Sequence, residues 1–103
     1  MKINGTEFTF NSLSLENLKK LEEANKPILE LAKTEKEYLE KGLVYEYTLK
    51  QVTAFIDFFK KLDLAYLTPE KVEEPILLLC MYQEFISECS KQKESYKQKY
   101  LGK

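Results

Sequence analysis

The sequence predicts a mainly α protein, a small helical bundle of three principal helices, one or more of them broken by proline, behind a short N-terminal β-hairpin. Apolar residues recur at three- and four-residue spacing over most of the chain, which is typical of amphipathic helices. The chain of 103 residues contains only three glycines and three prolines. Its length predicts a single domain over residues 1–103. The predicted elements are a hairpin over 1–11, a first helix over 14–41, a central helix over 43–64, a short helix over 69–74 and a last helix over 75–100.

The hairpin is predicted from the stretch KINGTEFTF near the N-terminus. Asn4-Gly5 is a dipeptide favoured in two-residue turns whose central residues both need a positive φ. Phe8 and Phe10 then alternate with polar residues, so both rings lie on one face of an extended segment. Because the first arm is short, we expect the hairpin to pack against a helix.

The first helix has a start signal, an internal proline and a stop signal. Ser14, or alternatively Ser12, is a suitable N-cap before the leucine-rich stretch that follows. Pro27 predicts a kink or a break, after which a helical period continues to about Lys41. Gly42 is the expected C-terminal stop.

The central helix is predicted to be the most buried, because its apolar face is broad. Phe55, Phe58 and Phe59 are expected to contribute most to the core, since burying one phenylalanine stabilises a fold by about 1.5–3 kcal/mol. The residues assigned to this face are Val44, Tyr47, Gln51, Val52, Ala54, Phe55, Ile56, Phe58, Phe59 and Leu62.

Two prolines organise the rest of the chain. Thr68 followed by Pro69 resembles an N-cap with proline in the first turn, which predicts the short helix over 69–74. Pro75 starts the last helix, and the apolar run after it indicates burial on several sides. Beyond Phe85 the apolar stripe narrows, with a polar gap at Gln92-Lys93.

The composition excludes several classes of protein. Hydrophobic residues make up 44% and charged residues 32% of the chain, which is too apolar for a disordered protein and too charged for a membrane protein. The N-terminus carries no long apolar segment of a signal peptide, so we expect an intracellular protein. Cys80 and Cys89 match no metal-ligand or redox spacing. We expect two free thiols, with Cys80 as a small core residue.

The sequence predicts neither an enzyme nor a cofactor-binding or metal-binding protein. It contains no histidine, the usual general base and metal ligand near neutral pH. The adjacent pairs Glu22-Glu23 and Glu73-Glu74 point about 100° apart on a helix, so neither pair forms a site. No glycine-rich phosphate loop and no hydrolase motif are present.

Nucleic-acid binding is the first of two interaction hypotheses. The C-terminal lysines Lys91, Lys93, Lys97, Lys99 and Lys103 are interleaved with Tyr96 and Tyr100. Against this, the net charge is −1 and all 16 basic residues are lysine, so no arginine can grip phosphate with two hydrogen bonds. In a helix-turn-helix interpretation, the segment 69–74 would also face phosphate with three carboxylates.

Protein–protein interaction is the second hypothesis. The last helix carries apolar and aromatic residues beyond the part expected to be buried, and tyrosine is enriched at interfaces. The alternative is that Tyr82, Phe85 and Ile86 are core residues and that the helix frays from Tyr96 onward. The candidate contact residues are Tyr82, Phe85, Ile86, Tyr96 and Tyr100.

The sequence also resembles a known family along most of its length. The stretches INGTEFTFNSLSLENLKKLEEA, AFIDFFKKL and CMYQEFISECSKQKESYKQKY, in this order, are similar to small uncharacterised proteins encoded among the tail genes of long-tailed phages and prophages of low-GC Gram-positive bacteria. Members of that family carry a glycine-rich stretch before the last helix. Here that position holds DLAYLTPEKVEEP, which has no glycine.

The resemblance implies a function like that of a tail assembly chaperone. Such a protein keeps the tape-measure protein soluble until tube subunits assemble around it. The implied partners are a tape-measure or tube protein, or a second copy of this chain, in the cytoplasm of the bacterial host. The alternative is a small phage regulator that binds nucleic acid or a host protein.

Overall fold

The computed structural model describes residues 1–102, and it confirms the predicted mainly α fold with an N-terminal hairpin. Three long helices form the bundle, with one short helix between the first two and a single 3₁₀ turn at Ala65–Leu67. The elements are β1 (Lys2–Ile3), β2 (Thr6–Glu7), α1 (Leu15–Ala32), α2 (Glu35–Glu40), α3 (Val44–Lys61) and α4 (Pro75–Tyr100).

The hairpin forms at the predicted turn. Asn4 and Gly5 have φ values of 51° and 78°, and Ile3 of β1 pairs with Thr6 of β2. Phe8 and Phe10 are both buried, as their alternation predicts. The hairpin is therefore held by its side chains in the core as well as by its few backbone hydrogen bonds.

Helix α1 starts as predicted but does not break at Pro27. The Ser14 hydroxyl accepts a hydrogen bond from the backbone N–H of Asn17 at 3.1 Å. The helix continues through Pro27 to Ala32. Proline leaves the carbonyl of Glu23 without its helical partner. Both residues lie on the solvent side of α1, where water can hydrogen-bond that carbonyl, so the helix tolerates the proline.

The actual interruption lies at residues 33 and 34, between α1 and α2. The Thr34 hydroxyl donates a hydrogen bond to the carbonyl of Leu31 at 2.7 Å, and the Thr34 N–H donates to the same oxygen at 3.0 Å. A threonine that turns back onto the preceding carbonyl competes with the helical pattern. The predicted helix over 14–41 is thus two helices, divided at Thr34 instead of Pro27.

Helices α2 and α3 end in the same hydrogen-bond pattern with different residues at the left-handed position. After α2, Gly42 has a φ of 72° and the N–H of Leu43 reaches the carbonyl of Tyr38 at 2.9 Å. After α3, Asp63 has a φ of 60° and the N–H of Leu64 reaches the carbonyl of Phe59 at 2.8 Å. Both are Schellman motifs. Gly42 is the predicted stop.

The predicted short helix over 69–74 does not form. Residues before proline are restricted to extended conformations, and both ends of the segment obey this rule. Thr68 precedes Pro69 with a ψ of 142°, and Glu74 precedes Pro75 with a ψ of 101°. The Thr68 hydroxyl donates to the carbonyl of Ala65 at 2.7 Å, so it closes the 3₁₀ turn and caps no following helix.

Helix α4 runs in the same direction as α3. The Tyr82 ring lies 5.1 Å from that of Phe55, and the Phe85 ring lies 5.9 Å from that of Phe59. The later residue of α3 thus contacts the later residue of α4, which means that the two helices are parallel. The 18 residues of α3 span about 27 Å, whereas the 26 residues of α4 span about 39 Å. Because α4 is longer, its C-terminal end passes the end of α3.

The core lies between α1, α3, α4 and the hairpin. Its largest fully buried side chains are Phe58, Phe59, Phe85, Ile3, Leu78 and Met81. Cys80, which was expected in the core, is exposed, whereas Cys89 is buried. In residues 1–102, no helix combines the length and the apolar character that a membrane span requires.

Candidate protein-interaction surface

The last two turns of α4 extend beyond the rest of the bundle. Every residue from 93 to 100 is exposed, and we call this segment the α4 overhang. Tyr96 and Tyr100 lie seven and eleven residues after Cys89, so they continue the stripe that faces the core earlier in the helix. Their side chains remain 52% and 58% exposed because no neighbouring element extends that far.

Gln92 marks the point where α4 leaves the bundle. Its side-chain carbonyl accepts hydrogen bonds from the backbone N–H of Ser12 at 3.0 Å and from the Ser12 hydroxyl at 2.8 Å. Its side-chain amide donates to the carbonyl of Phe10 at 2.6 Å. Gln92 thus satisfies the polar groups of the chain after the hairpin, much as a neighbouring β-strand would.

The two tyrosines of the overhang contact each other. Their ring centroids lie 4.5 Å apart with the planes tilted by 39°, and the Lys99 ammonium lies 5.2 Å from the Tyr100 ring. Aromatic pairs at this distance attract each other, and a lysine above a ring adds a cation–π contact. The pair lines an open groove of 550 Å³ whose far side is formed by Asn11 and Leu13.

A second, smaller groove adjoins the first and shares Leu13 with it. This groove of 320 Å³ lies between α1 and α4, with Leu18 and Ile86 among its lining residues. Ile86 is half-buried and packs against the core from this side. Ile86 therefore lines one groove and Tyr96 and Tyr100 line the other, and we treat these two grooves, which share Leu13, as one surface. We call it the overhang surface, consisting of Leu13, Leu18, Ile86, Tyr96 and Tyr100.

Tyr82 and Phe85 lie elsewhere, which corrects the predicted contact surface. Phe85 is completely buried, with the Phe58 ring at 5.6 Å and the Phe10 ring at 5.2 Å, so it cannot contact a partner. Tyr82 is half-buried against Phe58, and its hydroxyl donates a hydrogen bond to Asn25. Burial raises the pKa of Tyr82 more than this hydrogen bond lowers it.

The overhang surface lies in a positively charged region. Residues 91–102 contain four lysines and one glutamate, a net charge of +3. The Lys97 ammonium lies 3.9 Å from Glu94, and the Lys91 ammonium 3.1 Å from Glu88. Lys93 and Lys99 form no ion pair with any residue in the range 1–102.

A separate groove of 510 Å³ lies at the other end of the bundle, where the chain passes from α1 through α2 into α3. Its rim carries three exposed apolar side chains, Leu29, Leu39 and Val44. Tyr47 lies in its wall, with its hydroxyl 3.5 Å from the Glu35 carboxylate. Burial, and then the neighbouring carboxylate, raise the pKa of Tyr47. We call this site the α2 groove.

Sequence reasoning missed Gln92 and the α2 groove. In the sequence pattern, Gln92 is a gap in the apolar stripe and Ser12 is only an alternative helix cap. The available signal was one long amide in an otherwise apolar helical stripe, since such a residue often satisfies backbone groups of another segment. In the part of the chain that the structure describes, no three histidine, cysteine, aspartate or glutamate side chains are placed to hold a metal ion.

Comparison of the chain with protein-family models, with curated proteins and with solved structures finds no match.

Proposed function

We propose that this chain is a non-enzymatic phage protein that assists tail morphogenesis through helix-mediated protein–protein contacts, in the manner of a tail assembly chaperone. The observation that carries the interaction is the α4 overhang, where Tyr96 and Tyr100 continue a core stripe without a neighbouring element. The sequence resemblance to small phage proteins supplies the biological context. The site of action is the cytoplasm of the bacterial host.

The chemistry of the overhang surface indicates what kind of partner fits it. Two half-exposed tyrosine rings and the apolar side chains of Leu13, Leu18 and Ile86 suit the apolar face of a helix. The lysines beside them favour acidic side chains at the edges of that helix. A tape-measure protein, which is long and helical, or a tube protein is the partner that the resemblance implies.

A binding experiment with the purified chain tests this function. The tagged protein is used to capture proteins from phage-producing cells, and the captured protein is then titrated by calorimetry against purified variants. We expect Tyr96→Ser with Tyr100→Ser to weaken binding at least tenfold. Tyr66→Ser is the matched control, because Tyr66 is 60% exposed but lies in the 3₁₀ turn and lines neither groove of the overhang surface.

The result that would contradict this function is equally specific. If capture recovers no tail protein, the proposed function is contradicted. If the double tyrosine variant binds a captured tail protein as tightly as the unaltered chain, the overhang is not the binding surface. Circular dichroism of each variant establishes that helix content is unchanged, so that loss of binding is not loss of folding.

Nucleic-acid binding is the second candidate, and the lysines of the overhang favour it. Four lysines within residues 91–102 lie beside two tyrosines on which bases could stack. If all four contacted phosphates of a DNA duplex, the logarithm of affinity would fall with the logarithm of salt at a slope of about −4. A titration of duplex and single-stranded DNA at several salt concentrations measures this slope. Salt-dependent binding to DNA without binding to a tail protein would favour this candidate.

A further inference from the structure

The overhang and the α2 groove lie at opposite ends of the molecule. The α2 groove is formed where α3 begins, at Val44 and Tyr47. The overhang lies past the point where α3 ends, because α4 runs in the same direction as α3 and is longer. The molecule is 51 Å long and at most 27 Å wide, so the two sites are separated along its long axis.

The two ends carry opposite charge. Residues 28–51, which form most of the α2 groove and its surroundings, contain five glutamates and four lysines, a net charge of −1. Residues 91–102 carry a net charge of +3, from four lysines and one glutamate. A chain whose total charge is only −1 thus separates its charge along its length. Charge therefore favours contact between the unlike ends of two molecules and disfavours contact between their like ends.

The two ends also match in apolar character. The overhang projects a pair of tyrosine rings that occupy one face of a helix and already contact each other at 4.5 Å. The α2 groove presents the exposed side chains of Leu29, Leu39 and Val44 around a space of 510 Å³. Glu35 lies in the same groove and supplies a negative charge that complements the lysines of the overhang.

We infer that the α2 groove of one molecule binds the α4 overhang of a second copy, so that molecules associate head to tail. This inference rests on the proposed function, since it uses the same overhang, and it names a second copy as an occupant of that surface. Such a contact is heterologous: each molecule keeps one free groove and one free overhang, and association continues past the dimer. Two tyrosines bury about 150–250 Å² each, well below the 800 Å² per partner of a stable complex. The association is therefore weak and depends on concentration.

A mixing experiment tests this arrangement. One variant, Tyr96→Ser with Tyr100→Ser, lacks the overhang contact but keeps the groove. The other, Leu29→Lys with Leu39→Lys, lacks the groove contact but keeps the overhang, and lysine preserves helix propensity. Leu49→Lys is the matched control, because Leu49 is 53% exposed on α3 and lines neither groove. Masses are measured by sedimentation equilibrium from micromolar to millimolar concentration.

We expect the unaltered chain and Leu49→Lys to form species larger than the dimer, and each double variant alone to remain at the monomer mass of 12.2 kDa. A mixture of the two double variants should form a 1:1 dimer and stop there, because one member supplies the only working groove and the other the only working overhang. High salt should weaken the dimer, since exposed charges are screened.

Three results would overturn the inference. These are a monomeric unaltered chain at millimolar concentration, a double variant that still self-associates, or a mixture that remains monomeric. If circular dichroism shows that the groove double variant is unfolded, Glu35→Lys is used in its place. The folded groove variant also separates this inference from the proposed function, because its free overhang should still bind a tail protein. If only the binding of the tail protein is lost, the proposed function is contradicted, whereas the association seen in the mixing experiment still supports the inference.

Discussion

The apolar stripe of α4 lies in two different environments, buried in the inner part of the helix before Gln92 and exposed in the outer part, the overhang. In the inner part, Leu78, Met81, Phe85 and Cys89 are buried by α1, α3 and the hairpin. In the outer part, the stripe continues with Tyr96 and Tyr100, and no element covers it. The change from phenylalanine to tyrosine fits this difference, because a tyrosine hydroxyl remains hydrated while the ring offers apolar area. A helical stripe therefore does not by itself identify the core, and the length of the neighbouring helices decides where burial ends.

The largest effect is expected at the centre of the inner part. Phe85→Ala should lower the free energy of unfolding by about 3–5 kcal/mol, because it removes a ring that contacts four other phenylalanines and leaves a cavity. Urea denaturation monitored by circular dichroism measures this loss. A loss below about 1 kcal/mol would mean that Phe85 is not the central core residue.

An intermediate effect is expected at the boundary between the two parts. Gln92→Ala should cost about 1–3 kcal/mol, because the Ser12 N–H and the Phe10 carbonyl lose their hydrogen-bond partner in a partly buried place. Gln83→Ala is the matched control on the same helix, since Gln83 is exposed. Equal unfolding midpoints for the two variants would contradict the role assigned to Gln92.

A chemical probe distinguishes the two cysteines on the inner part. Cys80 is exposed and Cys89 is buried, and burial raises the pKa of the Cys89 thiol. At pH 8 less of Cys89 is therefore present as the reactive thiolate. We expect a thiol reagent to modify Cys80 at least ten times faster than Cys89, as measured with Cys89→Ser and Cys80→Ser variants. Equal rates would show that the end of the inner part opens readily.

The smallest effect on stability is expected in the outer part. Tyr96→Ser with Tyr100→Ser should change the melting temperature little, with a loss of less than about 0.5 kcal/mol, as is usual for exposed positions. Differential scanning calorimetry at a concentration where the chain is monomeric measures it. A loss comparable to that of Phe85→Ala would place these tyrosines in the core and remove the basis of the proposed contact.

Elements defined by local residues could be predicted from the sequence. The Asn4-Gly5 turn, the Ser14 cap and the Gly42 stop depend on conformational preferences of the residues themselves, and all three form in the structure. Pro27 does not break α1, because the effect of a proline depends on which side of the helix faces water, and Pro27 faces the solvent. The predicted helix over 69–74 is wrong because Thr68 closes the preceding 3₁₀ turn instead of capping a helix, and because Pro75 holds Glu74 extended.

Features that depend on distant residues were not predictable. Phe85 and Tyr96 share a helical face, and only the lengths of α1 and α3 decide that the first is buried and the second exposed. The Gln92 hydrogen bonds join residues 80 and 82 positions apart in the sequence. The sequence can mark Gln92 as a polar residue in an apolar stripe, but no local pattern identifies Ser12 and Phe10 as its partners.

The contact between Ser12 and Gln92 also has a consequence for synthesis on the ribosome. The two residues are separated by 80 positions, so the hairpin is made long before the part of α4 that covers it. At about 5–20 residues per second, this interval lasts about 4–16 seconds. Throughout that time the rings of Phe8 and Phe10 lack the Phe85 ring against which they finally pack. The N-terminal segment therefore completes its packing only after the last third of the chain has been synthesised.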